Sequence, residues 1–173
     1  VVTCAPAGAT VPSINGGTVP IAVLCSKTEQ ATNDANGSQG LSATPVGTPR
    51  TWNWTYNQYG QMLTADGPQI GNSDRTTYTY YAADDADMGK RGNLASVTNA
   101  AGHLTRIMAY DLNGRPLTII DPNDISTTLT YTPRGWLKTR VVSGGGGSTE
   151  STTYTYDGVG QILSVIQSDG SSL

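Results

Sequence analysis

The sequence predicts an all-β chain built from antiparallel hairpins. Three observations carry that reading. Aromatic residues alternate with Thr or Asn at a period of two, as in Trp52-Asn53-Trp54-Thr55-Tyr56 and Thr153-Tyr154-Thr155-Tyr156, and a period of two marks strands with one covered face. Each alternating run ends in Tyr, and a Gly-containing turn and a second apolar run follow. Charged residues make up only 13% of the chain, Phe is absent, and nine Tyr and three Trp supply all the aromatic surface. Such a composition favours strands over helices, and no segment shows a helical period.

The hairpins can be taken in order. Tyr56 and Gly60, Tyr110 and Gly114, Tyr131 and Gly135, and Tyr156 and Gly160 share one spacing. A fifth copy runs from Tyr80-Tyr81 to Gly92 and carries an insertion. Gly supplies the left-handed position such turns require. The second strands are expected at Met62–Ala65, Leu94–Val97, Leu117–Ile120, Leu137–Val142 and Ile162–Ile166. Asn99-Ala100-Ala101-Gly102 and Asp121-Pro122-Asn123-Asp124 link one hairpin to the next. The Gly144–Gly147 run occupies a similar place. It has the look of an engineered linker, but a long flexible natural hairpin loop is the preferred reading.

Residues 1–50 have a different texture, rich in Ala, Gly, Pro, Ser and Thr, and residues 51–173 form the hairpin array. The first segment reads as a hairpin followed by an irregular stretch. An elaborated hairpin of one repeat is the alternative to a separate domain. Asn15-Gly16-Gly17 is a hairpin turn signal, and folding there brings Cys4 near Cys25. A disulfide is expected, worth about 3 kcal/mol for a loop of that size; two buried free thiols are the alternative. At 173 residues the chain is long enough to bury a sizeable core. The net charge of −3 argues against a nucleic-acid partner. No apolar run is long enough to span a bilayer, and both ends read as cut from something longer.

Tyr-Asp-x-x-Gly-x-x-Leu at about 20-residue spacing, clearest in Tyr110-Asp111-Leu112-Asn113-Gly114-Arg115-Pro116-Leu117, resembles the YD repeat of Rhs proteins. Asp157 keeps the Asp; Asn57 and Thr132 replace it. The family includes bacterial Rhs polymorphic toxins, shell components of Tc toxin complexes and teneurins. The resemblance implies a strip of a spiralling β-sheet shell. It further implies a structural wall that encapsulates or displays a toxin or effector domain, and a bacterial, secreted or cell-surface setting. The partner it implies is the remainder of the same polypeptide. The sequence contains no counterpart of the family's region after the last repeat, its self-cleaving aspartyl site or an effector domain.

Asp84, Asp85 and Asp87 are a weak Ca²⁺ candidate, because Ca²⁺ favours clustered hard oxygens; a solvated acidic loop is the preferred reading. His103 lacks a nucleophile partner, and Asp121 with Asp124 fits turn chemistry better than acid–base work. No catalytic residue, metal or other cofactor is expected, and the chain is not expected to be an enzyme. Trp52, Trp54 and Trp136 offer a stacking platform for glycans or a cell-surface protein, although their parity favours packing on the covered strand face. Adhesion, or a fibre assembled edge to edge, is the alternative function.

Overall fold

The computed structural model describes residues 2–4, 22–144 and 146–172. They fold as antiparallel β-structure with a single short 3-10 turn at Gly40–Ser42 among the described residues. The chain divides into two compact units. One holds residues up to Tyr78 together with Asn99–Gly102; the other holds Thr79–Thr98 and residues from His103 onward.

In the first unit, β1 (Val2–Cys4), β2 (Val23–Thr32), β3 (Pro45–Tyr56) and β4 (Met62–Asp66) pair in sequence order. The start of β5 (Thr76–Tyr80) pairs with β4 through Thr77 and Thr76. An ion pair of 2.8 Å between Arg75 and Asp66 closes the loop between β4 and β5. β3 begins well before Thr51, so the regular strand runs through the boundary expected at residue 50. The backbone partner of Cys4 is Val23. The Cys4 side chain and the Asn15-Gly16-Gly17 turn lie outside the described residues, so the Cys4–Cys25 bond stays an expectation.

In the second unit, β6 (Leu94–Thr98), β7 (Leu104–Tyr110), β8 (Pro116–Ile120), β9 (Ser126–Tyr131), β10 (Leu137–Ser143), β11 (Thr149–Tyr156) and β12 (Ile162–Gln167) form an antiparallel meander. The predicted second strands all form, within a residue or two at their ends. Around the Gly run, Ser143 pairs with Thr149, and the Gly144 amide donates to Ser148 O at 3.2 Å.

The expected core is absent from the described residues. Tyr110, 8% exposed, is their one buried hydrophobic side chain. The physical reason is layering: a sheet buries its apolar face only against a second layer, and each unit here is described as sheet and loops. The two faces still differ. Trp52, Trp54, Tyr56, Tyr131, Trp136 and Tyr156 are half-buried on one face, while Asn53, Thr55, Thr130 and Thr155 are exposed. On the exposed face hydroxyls pair across strands: Thr55 with Thr64 at 2.6 Å, Thr79 with Ser96 at 2.6 Å, Thr130 with Thr139 at 2.6 Å and Thr155 with Ser164 at 2.7 Å. Such cross-strand pairs are the unit of sheet stabilisation.

Candidate functional site

The repeated chemistry lies at the turns and at the junctions between hairpins. Each Tyr-x-x-x-Gly turn is a type I turn closed by a Gly bulge. Asp111 N donates to Arg115 O at 3.0 Å and Gly114 N donates to Asp111 O at 3.0 Å. Gly114 has φ 75°, a value that L-residues rarely adopt. The same closure recurs at Asn57–Gln61, Thr132–Trp136 and Asp157–Gln161, and it also shapes Asp121–Ile125 between hairpins. There Asp124 takes the left-handed position at φ 58° without being Gly.

The residue after Tyr caps its own turn. Asp111 Oδ1 accepts the amides of Asn113 (2.9 Å) and Arg115 (3.0 Å). Asp157 Oδ1 accepts those of Val159 (2.9 Å) and Gln161 (2.9 Å). Asn57 Oδ1 accepts Tyr59 N (3.0 Å) and Gln61 N (3.0 Å), whereas Thr132 Oγ1 accepts Trp136 N at 3.1 Å. Any oxygen-bearing short side chain serves, which explains why Asp, Asn and Thr interchange. The Arg115 amide and guanidinium hold the Asp111 carboxyl below the usual aspartate range, and the Gln161 and Val159 amides do the same for Asp157.

The tyrosines bind one hairpin to the one before it. Tyr110 Oη donates to Leu94 O (2.7 Å), Tyr131 Oη to Pro116 O (3.0 Å) and Tyr156 Oη to Leu137 O (2.7 Å). Each acceptor lies two residues after the turn Gly of the preceding hairpin. In the first unit Tyr56 Oη donates to Leu24 O at 2.9 Å. Burial pushes the Tyr110 hydroxyl up, with the Tyr81 hydroxyl adding to the effect; burial does the same for Tyr131, partly offset by Arg115.

In the second unit, Asn93, Arg115 and Trp136, each directly after a turn Gly, lie by the next turn. The Arg115 guanidinium sits 4.6 Å from the Tyr131 ring centre and beside Gly135, where an added Cβ would lie 2.7 Å from it. The Trp136 ring centroid is 5.3 Å from that of Tyr156, and a Cβ on Gly160 would lie 2.9 Å from Trp136 Cζ2. Asn93 stands in the same relation to Gly114, at 3.7 Å. These glycines therefore serve backbone conformation and, at Gly135 and Gly160, close approach as well.

The interrupted copy keeps its closure. Tyr81 N donates to Asn93 O at 2.9 Å, the bond that Asp111 makes elsewhere. Tyr81 adds a hydroxyl bond, to Ile107 O at 2.7 Å in β7. The insertion folds back so that Gly89 is buried, with an added Cβ 2.7 Å from Tyr110 O.

Asp85 Oδ1 accepts Asp87 N at 2.9 Å and Asp87 Oδ1 accepts Gly89 N at 3.0 Å, so both carboxylates shape their own loop. Among the described residues no group of three His, Cys, Asp or Glu is placed to hold a metal ion. His103 is exposed. Trp52 has Lys27 and Arg50 over its ring at 5.4 and 5.5 Å. Trp136 faces a shallow cleft with Arg134, Lys138 and Tyr154, but its ring is already engaged by Tyr156 and Gly160. Sequence reasoning missed the junction residues Asn93 and Arg115 and singled out Trp136 only for stacking or strand-face packing; the three share a position but no chemistry. It also missed the accepting carbonyls, which have no side-chain signature.

Fold and junctions together define a tandem β-hairpin repeat. Residues 110–149 match the RHS Repeat family model. No curated protein sequence matches the chain. Among solved structures it is similar to TcdB2-TccC3-Cdc42, with TM-score 0.63 and 18% identity over 84% of this chain. It is also similar to TcdB2-TccC3 without its hypervariable C-terminal region, with TM-score 0.62 and 18% identity over 83%. In both cases the match spans only 7% of the larger chain. The two likenesses establish the shared fold.

Proposed function

We propose that the chain is a wall segment of an Rhs/YD-repeat shell that encloses or displays another part of the same polypeptide. The observation that carries this reading is the junction: a tyrosine hydroxyl on the preceding hairpin's carbonyl, repeated at Tyr110, Tyr131 and Tyr156. Such bonding stacks hairpins into a continuous sheet. The likeness to TcdB2-TccC3, which is described with a hypervariable C-terminal region, supports a cargo of that kind as the partner. In this reading the segment is structural rather than enzymatic, and the parent is a bacterial protein that is secreted or held at the cell surface. Among the described residues no helix is long and apolar enough to cross a membrane.

The test is the intact mass of the native polypeptide, with its terminal peptides and its protease-resistant fragments. A much longer chain with many repeats and a distinct, protease-protected segment is expected. A native chain ending near Leu173 overturns the wall reading.

A further inference from the structure

The hairpin from β9 to β10 departs from its neighbours in charge. Three residues after the turn Gly the other hairpins carry Leu63, Ala95, Leu117 and Leu163; this one carries Lys138. Directly before the turn Gly it carries Arg134, where the hairpins on either side have Asn113 and Val159. Both cations are exposed, and both line a cleft of about 350 Å³ together with Trp136, Tyr154 and Tyr156. Pockets for small ligands run from about 300 to 1,000 Å³, so the cleft suits a small one. No acidic residue lines it, and among the described residues neither Arg134 nor Lys138 has an ion-pair partner. A chain of net charge −3 thus gathers uncompensated positive charge beside aromatic rings.

The walls of the cleft are fixed, and one ring in it is free. The Trp136 ring is held against that of Tyr156, at 5.3 Å between centroids, and against Gly160. The Arg134 guanidinium lies 5.4 Å from the Trp136 ring centre and donates to Gly158 O, leaving its other N–H groups open. Tyr156 Oη is spent on Leu137 O. Tyr154, by contrast, makes neither a ring contact nor a hydroxyl hydrogen bond among the described residues. A ring, a phenol and two cations therefore converge with bonding capacity unused. β10 is paired with β9 and β11, and β11 with β10 and β12. No main-chain edge is left there for an extended peptide to join, so recognition runs through side chains.

We propose that this cleft binds an acidic oligosaccharide. One sugar ring lies against Tyr154, a sugar hydroxyl bonds to Tyr154 Oη, and the acid group of the sugar meets Lys138 and Arg134. Each part answers a part of such a ligand. An aromatic ring takes the apolar face of a pyranose and a phenol serves its hydroxyls. Charge-assisted hydrogen bonds from Arg and Lys hold a carboxylate. The site goes beyond the wall reading and does not depend on it.

The probe is α-1,4-linked trigalacturonate, titrated into the whole chain at low salt and followed by amide chemical shifts. Shifts centred on residues 132–138 and 154–156 are expected, and the affinity should fall as salt is raised, because the cations are exposed. The neutral trimer galactotriose should bind at least about tenfold more weakly, having no acid group for Lys138 and Arg134. Lys138→Leu, which copies the residue found at Leu63, Leu117 and Leu163, should weaken trigalacturonate binding by about tenfold. Tyr154→Phe should weaken it about three- to tenfold, the loss of one hydrogen bond. Absence of shifts at millimolar trigalacturonate overturns the inference, as does equal binding of the neutral trimer. Equal binding of an aspartate tripeptide or of sulfate alone also overturns it, by revealing a plain anion site. If Lys138→Leu misfolds, Tyr154→Phe decides: unchanged affinity in that variant removes the site.

Discussion

The hairpin from β11 to β12 and the hairpin from β5 to β6 solve one problem in two ways. In the first, Asp157 caps a short turn, Gly160 takes the left-handed position, and Trp136 from the previous hairpin lies over both Gly160 and Tyr156. In the second, an insertion stands between Tyr81 and Asn93, yet the same amide-to-carbonyl bond closes it. The hydroxyl pair before the turn also survives, as Thr79 with Ser96. Strand pairing is thus independent of turn length once the closing bond is made. The insertion adds contacts between hairpins: Tyr81 reaches forward to Ile107 O, and Gly89 packs on the Tyr110 backbone. A repeat can carry an extra loop without disturbing the sheet, provided the loop finds its own packing.

The largest expected effect sharpens the role of close approach. Gly160→Ala should cost about 3 kcal/mol, combining the left-handed backbone with a clash on the Trp136 ring. Gly114→Ala shares the backbone term but meets Asn93 only at 3.7 Å, and should cost about 1–2 kcal/mol. Thermal unfolding of both variants checks this, and equal losses would remove the packing role of Gly160.

Next comes the insertion. Gly89→Ala places a methyl group against the Tyr110 carbonyl and should cost about 1–3 kcal/mol, with faster proteolysis within residues 82–92. A loop that tolerates alanine there would show that Gly89 does not pin it to Tyr110.

Removing one hydroxyl should cost less. Tyr131→Phe should lose about 1 kcal/mol, the ordinary worth of one hydrogen bond. Faster amide exchange is expected at the β8–β9 junction and not at Tyr156. A change spread evenly over the second unit would argue against separate junctions.

The smallest effect separates the turns by pH. Asp111 and Asp157 have folded pKa values below their unfolded ones. Their contribution is complete above the unfolded aspartate pKa and is lost as pH falls through the depressed folded value. Asn57 and Thr132 carry no such charge. On acidification, amides in the Asp111 and Asp157 turns should lose exchange protection before those in the Asn57 and Thr132 turns. Simultaneous loss in all four would show that the carboxylates contribute nothing special.

Much of this molecule was legible in its sequence because the relevant physics is local. Alternation of Tyr with Thr fixes which residues share a strand face, and Gly60, Gly114, Gly135 and Gly160 mark turns that need a left-handed residue. Asp111, Asn57 and Thr132 cap through bonds spanning four residues at most. The chain therefore determined its strands, its turns and their order. Only the tertiary structure decided what lies between hairpins: which carbonyl each Tyr hydroxyl meets, that Arg115 and Trp136 occupy one column, and that the insertion covers Tyr110. It also decided that Tyr110 alone among the hydrophobic side chains is buried in the described residues. Those outcomes depend on the register of strands distant in sequence and on a backbone acceptor with no side-chain identity. Residue patterns record local preference; a carbonyl met across a junction leaves no letter behind.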